Sequence, residues 1–288
     1  MTVSSPKILF AVVIYRIAPL ESATVNSLLE HLGNIARLSA HILVLDNSPA
    51  PAGDQGRAQG FEYVAFGKNV GLAHAYRYAA DRAKEDGAEF IVTLDQDSIV
   101  SAAYLNSLRD YAYHHAGQEV VFCPRIMSAG RVVSPYVYDA FGNPHFDGRK
   151  GELHAINSFS VYATAVLADS KIIDNYYWLD ALDFAIYANL HRKHIPVTEM
   201  KVDVAHSLSV LDGGMNSERL ANMAHYEAAF LFQYCGLARL ANGLLRLLVR
   251  VVRVGRASGR FGPIGKAFKA AGAGSLTGMR RRGQITQI

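Results

Sequence analysis

Phe90-Ile91-Val92-Thr93-Leu94-Asp95-Gln96-Asp97-Ser98 runs five apolar or β-branched residues into two carboxylates one residue apart. The apolar part reads as a short, fully buried strand. The carboxylates then stand at its C-terminal edge, where open α/β sheets bind ligands. Two acidic side chains held there repel each other unless a cation joins them. Mg²⁺ or Mn²⁺ suits the pair: such hard ions take oxygen ligands, often only one or two carboxylates, and complete their shell with water and substrate phosphates. The same triplet also reads as a turn in which Asp97 or Ser98 caps a helix starting near Ser101.

Working outward, residues 7–15 are almost continuously apolar, as a central parallel strand is. Pro19 suits the first position of a helix, and Val25, Leu28, Leu29, Leu32 and Ile35 recur at helical spacing. Residues 41–46 are a second buried strand, 49–60 a loop, 61–66 a third strand and 72–84 a helix leading to the strand of Asp95. This alternation implies an α/β fold with a mostly parallel central sheet flanked by helices. Tyr15, Asp46, Asp95 and Asp97 all fall at strand C-termini, as a nucleotide-binding half-domain requires. There is no G-x-x-x-x-G-K-[ST] and no G-x-G-x-x-G, so phosphates here would be held through a metal rather than a glycine-rich loop. Beyond Ser98 the pattern predicts a helix over 101–116, strands over 119–123, 131–138, 155–162 and 196–204, and a substrate-facing loop over 139–152. Helices are predicted near 165–172 and within 179–194.

Half of the 288 residues are hydrophobic and 19% are charged, which excludes a disordered chain and gives enough core for one large domain or two small ones. Two cysteines, Cys123 and Cys235, make no disulfide framework and suit a reducing compartment. The first residues run straight into a strand without a secretory signal, so a cytoplasmic location is expected. Charge is uneven: eleven of the 29 Lys and Arg lie after Glu227, and none of the 25 Asp and Glu do. The body is therefore acidic and the tail, 231–288, basic. Within it, Arg239, Arg246, Arg250 and Arg253 form one helical stripe, with Leu244, Leu245, Leu248, Val251 and Val252 on the other side. The Arg recur too often for a membrane span. The expectation is a helix lying in a membrane interface, cationic face toward anionic headgroups; the alternative is a helix packed on the acidic body. No nucleic-acid-binding motif accompanies the basic charge, so nucleic acid is not an expected partner.

In this order the pieces resemble a family-2 glycosyltransferase with the GT-A fold, and within it the bacterial rhamnosyltransferases. The resemblance rests on Val12-Val13-Ile14-Tyr15, Val44-Leu45-Asp46-Asn47-Ser48, Asn69-Val70-Gly71-Leu72-Ala73, Leu94-Asp95-Gln96-Asp97-Ser98 and Trp178-Leu179-Asp180-Ala181-Leu182-Asp183. It covers about residues 7–230. It implies a GT-A domain over 1–230, with a nucleotide-sugar half (7–98) and an acceptor half (99–230). Tyr15, Asp46, Asn47, Asn69, Gly71 and Asp95 would bind the donor, and Asp95, Asp97 and His206 a divalent cation. Asp183 would be the general base, and Trp178 and Asp180 would meet the acceptor. The implied activity is inverting transfer of a sugar, L-rhamnose from dTDP-L-rhamnose, to a glycan or lipid-linked acceptor in cell-surface polysaccharide synthesis, on the inner face of the plasma membrane. A UDP-sugar donor, or a non-catalytic sugar-nucleotide- or glycan-binding protein on the membrane, are the alternatives. Residue by residue, Asp46 also reads as an Asx-turn and Asp180 as a helix N-cap. Repulsion between Asp180 and Asp183 is expected to raise the base's pKa. The chain departs from relatives at Arg77, Asn157-Ser158-Phe159, Ala185 and Asn189.

Overall fold

The computed structural model describes residues 5–51, 60–205, 217–257 and 262–285. The central sheet runs, in order, through strands 197–205, 121–128, 161–163, 90–95, 7–14, 39–46 and 62–65. An interior strand is the apolar run β1 (Lys7–Ile14), buried at every residue but the first. β2 (Ser39–Asp46), β3 (Glu62–Ala65) and β4 (Phe90–Asp95) lie parallel to it and its neighbours. Register puts Ile14 opposite Asp46 and Val13 opposite Asp95, so three strand ends open onto one edge. Each buried Val, Leu or Ile of these strands contributes roughly 1.5–3 kcal/mol.

The connections are helical, as their spacing predicts: a 3-10 turn at Pro19–Glu21, then α1 (Ala23–Leu32), α2 (Gly71–Glu85) and α3 (Ala102–His114). Ser101 caps α3, its Oγ accepting from Tyr104 N–H at 3.2 Å. Neither Asp97 nor Ser98 does; Ser98 is buried with its Oγ 2.8 Å from Ser158 Oγ.

The second half corrects several expectations. β5 (Val121–Ser128) outruns its predicted end. The predicted strand 131–138 divides at Pro135, which has no N–H for a ladder. It becomes β6 (Arg131–Ser134), antiparallel to β5, and β7 (Tyr136–Tyr138) in a separate small sheet. Loop 139–152 contributes β8 (Pro144–His145) to that sheet, and β9 (Leu153–His154) follows. The strand expected over 155–162 is only β10 (Val161–Ala163), antiparallel to both neighbours. Side-chain hydroxyls hold the preceding backbone instead: Thr93 Oγ1 donates to Asn157 O (2.6 Å) and Ser160 Oγ to Ile156 O (2.7 Å). The helix near 165–172 is a single turn, α4 (Thr164–Leu167). α5 (Leu182–Arg192) and β11 (Val197–Ala205) match their patterns.

Three helices follow among the described residues: α6 (Ser217–Tyr234), α7 (Leu237–Ala257) and α8 (Gly262–Ile285). They share a cluster of their own, in which Leu247 and Val251 of α7 and Ala267 of α8 meet Leu220, Met223, Ala224 and Ala228 of α6. α7 takes the alternative arrangement, packed on the body: Arg246 donates to Gly142 O (3.0 Å) and Arg250 pairs with Glu227 (2.7 Å), while Arg253 of the same stripe is exposed and Val251 of the apolar side is buried. Leu237, Leu245, Leu248 and Val249 are left exposed. No helix among the described residues is long and apolar enough to cross a membrane.

One glycine is fixed by the packing. Gly71 (φ +80°) opens α2, and a Cβ there would stand 2.5 Å from the Trp178 ring and 2.6 Å from Trp178 O. That carbonyl accepts from Leu72 N–H (2.6 Å) and Ala73 N–H (3.3 Å) and so closes the helix N-terminus. Gly71→Ala is expected to cost about 2–4 kcal/mol through backbone strain and overpacking, a fall in Tm of roughly 5 °C or more for a chain of this size. Thermal unfolding checks it; an unchanged Tm would show that Trp178 yields freely.

Candidate active site

A cavity of about 920 Å³ opens at the C-terminal edge of β1 and β4. Its walls bring together residues from five distant stretches: Tyr15, Asn47, Asn69 and Gly71, Asp95 and Asp97, and Trp178, Asp180 and Asp183. Nine of the residues expected at the site therefore face one space. Asp46 does not. It is fully buried, and its carboxylate accepts from Ser48 N–H (2.8 Å) and Tyr63 Oη–H (2.6 Å). The Ser48 N–H bond is that of the Asx-turn. His206 lies outside the described residues.

The loop carrying the two carboxylates is tied down by α1. Ser22 Oγ donates to Gln96 O (2.7 Å), and Thr24 Oγ1 donates to Asp95 O and accepts from Ser98 N–H (2.9 Å). Gln96 in turn accepts from Tyr15 N–H at 2.7 Å. Asn47 Oδ1 accepts from Val70 N–H (2.9 Å) and Asn69 Oδ1 from Gly71 N–H (3.0 Å), so both amides shape the turn before α2. Asp95 is half-buried and Asp97 exposed in the same cavity. This pair of hard oxygen donors with open space beside it fits a Mg²⁺- or Mn²⁺-type ion that keeps positions for phosphate and water. Tyr76 Oη, on the cavity wall, is buried without a hydrogen-bond partner among the described residues.

Asp183 sits in the first turn of α5 and accepts from Phe184 N–H at 3.0 Å. Its side chain reaches the cavity, yet protein crowds it closely. Burial pushes its pKa up to about 6, with the charges of Asp180 and Asp95 adding to the shift. The direction agrees with the sequence reading; the main cause is desolvation rather than repulsion from Asp180. Asp180 does not cap α5. It pairs with Arg219 of α6 at 2.9 Å, and the cap position is Ala181, held at φ +60°. Arg16 is left-handed too (φ +59°), and both residues line the cavity. Arg37, Ala129, Phe159 and His194 adopt the same region away from the cavity, so this conformation does not by itself mark the site. Tyr177 is core, its hydroxyl donating to Gln233 Oε1 (2.7 Å), while Trp178 borders the cavity.

Sequence reasoning missed several wall residues. Arg16 places its guanidinium 4.9 Å from the centre of the Tyr15 ring. Its position directly after a strand-end aromatic was the available signal. Asn157 and Ser158 line the cavity because the expected strand is diverted there. Arg219, Glu227 and Arg250 arrive from α6 and α7, and nothing in the tail's periodicity points Arg250 inward. Arg77, one of the departures, clamps Asn175 (2.6 Å), Ser170 O and Ile173 O.

Parallel strands flanked by helices, a cavity at the sheet's C-terminal edge and an acidic pair on the strand end define a GT-A-type nucleotide-sugar transferase scaffold. The chain belongs to glycosyl transferase family 2, whose model matches residues 18–168, just over half of it. The matched stretch contains Asp95 and Asp97 and ends before Asp183. No curated protein sequence matches the chain. Among solved structures, S. aureus TarS 1–349 in complex with UDP-GlcNAc superposes with a TM-score of 0.55 at 14% identity, over 98% of this chain and 92% of that one. The UDP complex of the same fragment gives 0.51 at 15% identity, over 98% and 91%. GalNAc-T7 with UDP, GalNAc and Mn²⁺ gives 0.52 at 10% identity, over 86% of this chain and 55% of that one. At such identities the likeness speaks for the fold.

Proposed function

We propose that this glycosyltransferase transfers a sugar with inversion, from a nucleoside diphosphate donor to a hydroxyl acceptor, with Asp183 as the base. One observation carries the reading: Asp183, with its pKa lifted to about 6, shares a cavity with the Asp95–Asp97 pair. Tyr15, Asn47, Asn69 and Gly71 border the donor half, with Arg16 adding fixed positive charge beside Tyr15. Trp178 and Asp180 border the acceptor half. The acceptor hydroxyl attacks the anomeric carbon from the face opposite the diphosphate. The new C–O bond forms as the old one breaks, the proton passes to the Asp183 carboxylate, and the nucleoside diphosphate leaves with the bond's electrons. A divalent cation on Asp95 and Asp97 would supply neutralising charge for that leaving group. Residues 1–230 are assigned to the catalytic domain, 7–98 to its donor half and 99–230 to its acceptor half. The basic tail, 231–288, joins through α6 rather than a linker.

The favoured donor is dTDP-L-rhamnose, on the resemblance of the motifs; TarS and GalNAc-T7 were solved with UDP or UDP-GlcNAc, which makes a UDP-sugar the second reading. Release of nucleoside diphosphate from dTDP-L-rhamnose, UDP-GlcNAc and UDP-galactose, with Mg²⁺ or Mn²⁺, decides between them. Turnover of a UDP-sugar alone overturns rhamnose, and turnover of none at any pH overturns the catalytic reading in favour of a binding protein.

The acceptor is proposed to be lipid-linked or glycan, met at an anionic membrane on the inner face. The support is the outward face of the tail helices: Leu237, Leu245, Leu248 and Val249 on α7, and Phe268, Leu276 and Met279 on α8 are exposed, with Lys266, Lys269 and Arg280 beside them. Insertion of the leucines, with the lysines contacting headgroups, is the interfacial mode this surface favours. The protein is expected to sediment with phosphatidylglycerol vesicles, and Leu245→Glu with Leu248→Glu to abolish that at unchanged Tm. Equal binding by the variant would remove the support.

A further inference from the structure

A second cavity, of about 320 Å³, lies behind Phe184 and opens between α5, α6 and α7. Three potential metal ligands stand on its wall: Glu152, His154 and His191, whose ligand atoms all lie within 4.8 Å of one another. They come from the end of loop 139–152, from β9 and from α5, so tertiary structure alone assembles them. His154 is 7% exposed, and its Nδ1 is buried with no hydrogen-bond partner among the described residues. The ring packs on Tyr136, Tyr138 and His191. An orphaned imidazole nitrogen is costly, and a metal is one group that satisfies its lone pair. His191 is oriented for the same task. Its Nε2 lies 2.9 Å from Leu153 O; donation to that carbonyl fixes the tautomer and leaves Nδ1 its lone pair, the arrangement metal-bound histidines adopt.

A comparable trio elsewhere behaves differently. His41, Glu62 and Asp86 also cluster, but Arg82 bridges Glu62 (3.1 Å) and Asp86 (2.6 Å), and both His41 nitrogens meet a carboxylate. That cluster is a satisfied ion network. At Glu152, by contrast, no Lys or Arg of the described residues forms an ion pair.

We propose that Glu152, His154 and His191 form a zinc site, distinct from the Asp95–Asp97 pair. Two imidazoles and one carboxylate suit a borderline-soft ion such as Zn²⁺, whereas Mg²⁺ prefers oxygen alone. Three protein ligands leave one tetrahedral position open toward the cavity. Arg239 and Arg246 line that space, so an anion completes the shell and offsets their charge. The ion would tie β9 to α5, the helix that carries Asp183.

The test uses the full chain freed of metal with EDTA. It is titrated with ZnCl₂ by calorimetry and with CoCl₂ by visible absorption. The expected result is uptake of one equivalent of Zn²⁺, tetrahedral Co²⁺ bands, and no competition from Mg²⁺. His191→Gln and Glu152→Gln should each weaken uptake beyond the roughly 10–100-fold lost when a second-shell partner is removed. The Asp95→Asn/Asp97→Asn double variant should bind zinc as the unaltered chain does. No uptake by folded protein, uptake that survives both His191→Gln and Glu152→Gln, or uptake lost with Asp95 and Asp97 each overturns the site.

Discussion

Asp183→Asn is expected to lower sugar transfer by roughly 10²–10⁴-fold while leaving donor binding within a small factor, the range a positioned general base supplies. The amide keeps the shape and still accepts from Phe184 N–H, so the loss reads proton acceptance rather than a collapsed site. The measurement pairs steady-state kcat with donor Kd from calorimetry. A variant that keeps most of its kcat would show that another group takes the proton, and Asp180 would be the next to change.

The raised pKa adds two signed consequences. The base must be ionised, so kcat/KM should fall about tenfold per pH unit below about 6. Stability moves the other way. A carboxyl whose folded pKa lies above its unfolded value favours folding when protonated. That contribution is complete below pH of about 4 and is lost as pH rises through about 6. At pH 7.5 the charged carboxylate therefore costs the fold on the order of 1–2 kcal/mol, discounted for its opening to the cavity. Asp183→Asn should accordingly raise Tm at pH 7.5 and not at pH 4. A lower Tm at both would mean that the carboxylate makes compensating bonds.

Most of the nucleotide half was legible because its signals are local. The run 7–15, the run 41–46 and the Asp95 strand are long, apolar and unbroken, and parallel strands buried on both faces leave that mark. The acceptor half was harder for physical reasons. Pro135 divides a run whose periodicity is continuous. Asn157 accepts from the Tyr162 hydroxyl, Ser158 pairs with Ser98 and Ser160 donates to Ile156 O, so an alternating pattern becomes an irregular cavity wall. Asp46 and Asp180 have the right residue type and place, but their partners, Tyr63 and Arg219, are distant in sequence. For α7, amphipathicity shows that two faces exist and not which one turns inward. Glu227, half-buried and offering its carboxylate to Arg250, decides that, and no periodicity contains it.

The Asp95→Asn and Asp97→Asn variants should each abolish metal-dependent stabilisation by the donor. In the unaltered protein, a nucleotide sugar at about 100 times its Kd adds roughly 2.7 kcal/mol, a rise of about 5 °C in Tm for a chain of this size. The rise should require Mg²⁺ or Mn²⁺, because two neighbouring carboxylates repel a diphosphate unless a cation intervenes. Asn keeps the oxygen and removes the charge, so each variant isolates the electrostatic part. Asp95→Asn should act twice. Its charge also raises the Asp183 pKa, so the acid limb of the remaining activity should shift to lower pH, while Asp97→Asn moves it less. The loop itself should survive both changes, since Ser22 and Thr24 hold it through backbone carbonyls rather than through the carboxylates. If donor stabilisation persists with EDTA present and with both carboxylates neutralised, Arg16 becomes the phosphate partner to test, and Asp95 and Asp97 lose their assigned role in donor binding.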